Sequence, residues 1–259
     1  MVKNFRSILV TGAGSGLGAA LARRYAAPGV RLALIGRNES RLALVEADCV
    51  ARGATVERAS IDVTERAALA AWIVAADEQL PFDLVIANAG ISGGTSGLGE
   101  SNDQSRLIFA INLDGVLNTI EPILPRMRRR GTGAVALMSS LASFRGLPGA
   151  PAYGASKAAV RVLGEALRGD YRPSGVTVSV ICPGFVTTPM TARNRFHMPF
   201  LMNAERASGI IVRGLAQGRG RIAFPWPMYA LVRLIAALPS ALIDRFIGRL
   251  PRKTPPAID

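Results

Sequence analysis

The sequence of 259 residues predicts an α/β fold, a doubly wound parallel sheet with helices on both faces, forming one domain over residues 1–259. Three observations point to it. Short strand-like runs recur along the chain with helix-length stretches between them, the alternation that builds a parallel sheet. The first run leads directly into a glycine-rich turn and a helix-forming stretch. Small and polar residues then collect just after the runs, at the edge where open parallel sheets bind ligands. A chain of this length buries one sizeable core and requires no second domain.

The first run, Ile8–Val10, is followed by Thr11-Gly12-Ala13-Gly14-Ser15-Gly16-Leu17-Gly18 and by the helix formers from Ala19 to Tyr25. Strand, glycine turn and helix in that order are the setting of a dinucleotide site, where glycines admit a pyrophosphate to the backbone and the helix N-terminus offers N–H groups to it. Gly12, Gly16 and Gly18 are spaced differently from the commoner G-x-G-x-x-G, and a tight turn without a ligand is the competing reading. The second run, Leu32–Ile35, ends in Gly36-Arg37-Asn38. A carboxylate near this point takes ribose hydroxyls, whereas Arg accommodates a 2′-phosphate. Arg37 with no carboxylate at Gly36 favours NADP(H) over NAD(H), against the alternative of a solvated loop charge.

The remaining runs are Thr55–Ala59, Leu84–Ala87, Ala134–Met138, Val176–Ile181 and Ile222–Phe224. They place Asp62, Asn88, Ser140 and Pro183 at the same sheet edge as Gly12 and Arg37. Tyr153 and Lys157 are four residues apart and share a helix face. An ammonium beside a phenol favours the phenolate, so Lys157 is expected to lower the Tyr153 pKa toward a value suited to proton transfer. Adjacent Ser139 and Ser140 point to opposite sides of a strand end, so only one of them can reach the site.

On these residues the sequence resembles the classical short-chain dehydrogenase/reductase family over about residues 5 to 190. Thr11 to Gly18, including Ser15 and Leu17, fits its Thr-Gly-x-x-x-Gly-x-Gly turn. Asn88-Ala89-Gly90 matches its Asn-Ala-Gly, and Pro183-Gly184 with Thr188 its Pro-Gly-x-x-x-Thr segment near the nicotinamide. The resemblance implies a Rossmann-like fold and an adenine contact at Asp62-Val63. It also implies a catalytic set of Asn112, Ser140, Tyr153 and Lys157, with Ser140 chosen because it lies thirteen residues before Tyr153. By the same resemblance Tyr153 is general acid or base, Lys157 also binds the nicotinamide ribose, Ser140 stabilises the substrate oxygen, and Asn112 holds a water that relays protons. A carbonyl or secondary alcohol is the implied substrate, and a homodimer or homotetramer packed through the Tyr153 helix the implied assembly.

Composition bounds the rest. Two cysteines, Cys49 and Cys182, make no disulfide framework, and the single His197 anchors no multi-histidine metal site, so no metal is expected. No apolar leader precedes the first strand, which suggests a cytoplasmic protein. The formal charge of +13 is compatible with nucleic acid, but no recognition motif supports that partner. Residues 189–218, with Phe196, Met198, Phe200, Leu201 and Met202, read as a substrate loop whose apolar character suits an apolar substrate. Residues 225–259 form a basic, apolar extension that includes Arg233, Arg245, Arg249, Arg252 and Lys253. It reads as packing against the core or a partner subunit, as a lid, or as a peripheral contact with the inner face of a membrane. A non-catalytic dinucleotide-binding regulator and a lipid-binding protein on the same scaffold are the rival functions.

Overall fold

The alternating apolar runs form the strands of one sheet in a computed structural model, which describes residues 3–93, 100–146, 149–194 and 196–239. The strands are β1 (Ser7–Thr11), β2 (Arg31–Gly36), β3 (Thr55–Ser60), β4 (Leu84–Ala87), β5 (Gly133–Met138), β6 (Val176–Pro183) and β9 (Arg221–Phe224), all parallel in the order β3-β2-β1-β4-β5-β6-β9. Winding proceeds outward from β1 on one side and from β4 on the other. The crevice beyond the C-terminal ends of β1 and β4 is therefore a topological switch point, where such sheets take their ligands. A separate two-stranded pair joins β7 (Val186–Thr187) to β8 (Met202–Asn203).

Helices α1 (Gly16–Tyr25), α2 (Glu39–Val50), α3 (Arg66–Gln79), α4 (Asn102–Phe109), α5 (Gly115–Ile120), α6 (Leu124–Arg130), α7 (Pro151–Tyr171), α8 (Ala204–Ala216) and α9 (Trp226–Ala237) complete the elements. Successive strand side chains point to opposite faces, and both faces are covered. Ile8, Val10, Leu32, Leu34 and Ile86 pack with Leu21, Leu42, Ile211 and Leu215 on one side. Leu9, Ala33, Ile35, Val85 and Val135 pack with Leu69, Ile73, Val116 and Val160 on the other. This double burial explains why β1, β2, β4 and β5 read as continuous apolar runs, whereas the edge strand β3 carries Glu57 and Arg58 and is only half-buried.

The stretch 189–218 divides in two. Residues 204–216 are helix α8, with Ala207, Ile211 and Leu215 built into the core beside α1; Pro189, Met190 and Thr191 border the crevice. Helix α9 lies on a third, smaller cluster formed by Leu141, Val180 and Cys182. Residues 240–259, and with them Arg245, Arg249, Arg252 and Lys253, lie outside the described residues. Residues Asn102–Arg130 are long and apolar enough to cross a membrane, but 56% of their most apolar window is buried in the fold, as in a core helix.

Candidate active site

The site begins where β1 and β4 end. Thr11 Oγ1 accepts hydrogen bonds from the backbone N–H groups of Asn88 (3.1 Å) and Ala89 (3.3 Å), and Asn88 Nδ2 donates to the Thr11 carbonyl at 2.9 Å. The two strand ends are thus tied together with the crevice above them. Gly12 turns the chain out of β1 at a φ of +68°, and a Cβ there would lie 2.8 Å from Ala89 Cα. A Cβ on Gly18 would collide with the Gly12 carbonyl oxygen and Asn88 Nδ2. The glycines therefore allow α1 to start directly against the strand ends. Ser15, the N-cap of α1, places no side-chain hydrogen bond on the first turn, whereas the N-cap Asn38 of α2 accepts one from Arg41. Ser15, Gly16 and Leu17 line the cleft, so these N–H groups are open to an anion in the way a dinucleotide pyrophosphate requires. The cradle fits that group.

The cleft, of about 410 Å³, runs from this turn to the end of β6. Arg37, Asp62, Val63, Asn88, Ala89, Gly90, Ser140, Tyr153, Lys157, Pro183, Gly184 and Thr188 all line it, and Gly18 lies beneath its floor. Arg37 Nη1 meets Asp62 Oδ2 at 3.5 Å while the Arg37 side chain stays 61% exposed. Burial works to raise the Asp62 carboxyl, but two hydrogen bonds from Thr64 and the Arg37 guanidinium outweigh it and hold the group below its ordinary value. Asn38 and Arg41 also line this end. Sequence reasoning passed over Arg41; its one signal was a position four residues after Arg37, in the first turn of α2.

At the other end both serines border the cleft, but their hydroxyls take different partners. Ser139 is buried and donates from Oγ to the Lys157 carbonyl at 2.8 Å. Ser140 lines the cleft, accepts from the Ala142 N–H at 3.1 Å and hydrogen-bonds with the Tyr153 phenol. Helix α7 carries Tyr153 and Lys157 to the same wall, with Lys157 Nζ 6.0 Å from the Tyr153 ring centre and donating to the Met138 carbonyl at 2.8 Å. Burial lowers the Lys157 pKa to about 8. Burial also raises the Tyr153 phenol, with the Ser140 bond opposing it. This corrects the expectation that Lys157 brings the phenol down: burial sets the direction, and the influence that opposes it is the Ser140 hydrogen bond.

Asn112 is fully buried behind the cleft, in a π-helical turn, Ala110–Asp114, between α4 and α5. Its Oδ1 accepts from the Ile91 N–H at 2.8 Å, and its Nδ2 donates to the Ile91 carbonyl at 2.9 Å and to Ser156 Oγ at 3.1 Å. A Cβ on Gly90 would touch both Asn112 Oδ1 and Lys157 Nζ, at 3.1 and 3.2 Å. The amide thus fixes the 88–91 segment next to Lys157 rather than projecting into the cleft. Among the described residues no group of three or more His, Cys, Asp or Glu could hold a metal ion. Cys182 is buried, and burial pushes its thiol up to about 11.

Comparison with known proteins bears on the same residues. The short chain dehydrogenase family model matches residues 6–198. A Myxococcus xanthus "uncharacterized oxidoreductase" is 40% identical over 248 residues, covering 95% of this chain and 98% of that protein. The structure of a short-chain dehydrogenase from Sphingobium yanoikuyae in complex with NADPH superposes with a TM-score of 0.79 at 26% identity, covering 91% of this chain and 97% of that one. A short chain dehydrogenase from Mycobacterium paratuberculosis bound to NAD shares the fold, with a TM-score of 0.77 at 22% identity over 87% of this chain and 98% of that one. With the parallel sheet and the glycine cradle, these matches make the chain an oxidoreductase that belongs to the short-chain dehydrogenase family.

Proposed function

We propose that the protein is an NADP(H)-dependent oxidoreductase that interconverts an apolar carbonyl compound and its secondary alcohol. The convergence of Ser140, Tyr153 and Lys157 on one wall of the glycine-floored cleft carries this reading. A nicotinamide dinucleotide, when bound, supplies or accepts the hydride. Gly12, Gly16, Gly18 and the first turn of α1 would hold its pyrophosphate, and Pro183, Gly184 and Thr188 its nicotinamide end. Ser140 and Tyr153 hydroxyls hold the substrate oxygen and stabilise negative charge as it develops. Tyr153 gives its phenolic proton to that oxygen in reduction and takes it back in oxidation.

The raised Tyr153 pKa keeps the phenol protonated at neutral pH, which is the form reduction needs. Oxidation needs the phenolate, so its rate rises with pH while reduction holds through neutrality and falls as the phenol ionises. Asn112 is a positioning residue for the 88–91 segment. A non-catalytic regulator has no use for a general acid hydrogen-bonded to a second hydroxyl in the cleft, and that reading is not favoured.

The cofactor preference rests on Arg37, exposed just after β2 and paired with Asp62. A 2′-phosphate would draw the guanidinium away from that carboxylate, and a charge-assisted pair contributes about 1.5–3 kcal/mol. Titration by fluorescence tests it: NADPH should bind about ten- to a hundredfold more tightly than NADH, and Arg37→Ala should remove most of the difference. Equal affinities in the wild type would refute the preference. A panel of apolar ketones and aldehydes with NADPH tests the activity; turnover of polar carbonyls alone would contradict the substrate class.

A further inference from the structure

Helix α7 begins two residues before Tyr153, and it begins without a cap of its own. Its N-cap, Ala150, brings no side-chain hydrogen bond, and Pro151, the first helical residue, has no N–H to give. The first N–H groups of a helix find no partner within it. The carboxylate of Glu100, just ahead of α4, supplies one from outside. Its Oε2 accepts from the Ala152 N–H at 2.8 Å and from the Ser105 hydroxyl at 3.5 Å. The other oxygen, Oε1, is buried and meets no donor among the described residues. A buried carboxylate oxygen without a donor is costly to keep, and a fold that keeps one calls for a reason.

What Oε2 holds is the residue next to Tyr153. The carbonyl side of Tyr153 is fastened separately: Ser156 Oγ donates to the Tyr153 carbonyl at 2.9 Å and accepts from Asn112 Nδ2 at 3.1 Å. The tyrosine backbone therefore stands between two anchors, one on each side along the helix, and its phenol meets Ser140 from there. Proton transfer tolerates little displacement, since a shift of about 1 Å can cost about a hundredfold in rate. Glu100 is not among the residues that line the cleft, so it acts through the helix and not on substrate or cofactor. We propose that Glu100 is a positioning residue for proton transfer: its carboxylate, capping α7 at Ala152, holds the first turn so that the Tyr153 phenol stays against Ser140. This rests on the reading of Tyr153 as the proton donor.

The test uses the full chain in three variants. Glu100→Ala removes the acceptor, Glu100→Asp draws the charge back by one methylene, and Glu100→Gln keeps an oxygen at the same reach. Hydrogen exchange read by mass spectrometry, with no substrate present, should be faster over residues 151–157 in the Ala and Asp variants and unchanged in the Gln variant. With NADPH and a ketone that the wild type reduces, kcat per NADPH-binding site should fall about ten- to a hundredfold in the Ala and Asp variants. KM and NADPH affinity should stay within a few-fold, and Gln should restore most of the rate. The solvent deuterium isotope effect on kcat should rise as the rate falls, because the proton step is the one displaced. A residue that only stabilises the fold would lower the number of NADPH-binding sites and leave kcat per site and the isotope effect as they are; that result would overturn the proposal. Unchanged exchange over 151–157, or a Gln variant as slow as Ala, would do the same. If Glu100→Ala does not fold, Glu100→Asp decides by the same readouts. Wild-type turnover by Glu100→Ala beside an inactive Tyr153→Phe refutes this proposal alone, whereas an active Tyr153→Phe refutes the proton-donor reading and this proposal with it.

Discussion

Lys157 is a buried ammonium whose pKa falls from 10.5 to about 8. The folded state therefore binds fewer protons than the unfolded chain between those two values, and stability from this residue rises with pH across that window. Between pH 8 and pH 10 the wild type should gain about 2–3 kcal/mol relative to Lys157→Met, read from urea unfolding of both proteins at the two pH values. A parallel pH dependence in the two proteins would contradict the burial argument. The two serines separate by role in the same way. Ser140→Ala should lower turnover about 10²–10³-fold, the usual cost of removing one donor to a developing oxyanion. Ser139→Ala should cost about 1 kcal/mol of stability through its lost bond to the Lys157 carbonyl and spare the chemistry. The sequence made this pair legible as alternatives, because strand alternation predicts opposite directions for them. It could not reveal the pKa directions, since burial depends on residues from β5, β6 and α7 that lie far apart in the chain.

The glycine turn is the element most exposed to substitution. A methyl group on Gly18 has no space between the Gly12 carbonyl and Asn88, so Gly18→Ala must push α1 away from the strand ends. Overpacking of this kind costs about 1–3 kcal/mol. Thermal unfolding should show that loss, and cofactor affinity should fall with it; unchanged NADPH binding would contradict the cradle. This element was readable because strand, turn and helix are contiguous in sequence. Strands β1, β2, β4 and β5 were readable for a related reason, since burial on both faces leaves nearly uninterrupted apolar runs. Two elements were not readable. The π turn at Asn112 interrupts a helix whose residue pattern is continuous from α4 into α5, and one extra residue in a turn leaves no mark in the sequence. Helix α8 was grouped with the apolar stretch from Phe196 to Met202 as one substrate loop, and nothing in the sequence marks that Ala207, Ile211 and Leu215 face the core instead.

At the scale of the whole molecule, apolar side chains remain on the outer surfaces of two helices that pack together. Leu107 and Phe109 on α4 and Val162 on α7 are 51%, 37% and 55% exposed. A symmetric pair built on this face would bury them and bring the two Tyr153 helices together. Light scattering at micromolar concentration should show a dimer or tetramer that Val162→Glu dissociates; a monomeric wild type would count against it. The same helix α7 carries the central claim, that Tyr153 is the proton donor of a carbonyl reductase. The most direct measurement compares NADPH oxidation by wild type and Tyr153→Phe with apolar ketones, alongside fluorescence titration of NADPH into both. The account predicts that turnover falls about 10²–10⁴-fold or more while NADPH affinity stays within a few-fold, because only the transferable proton has been removed. Turnover by Tyr153→Phe within a few-fold of the wild type would contradict it.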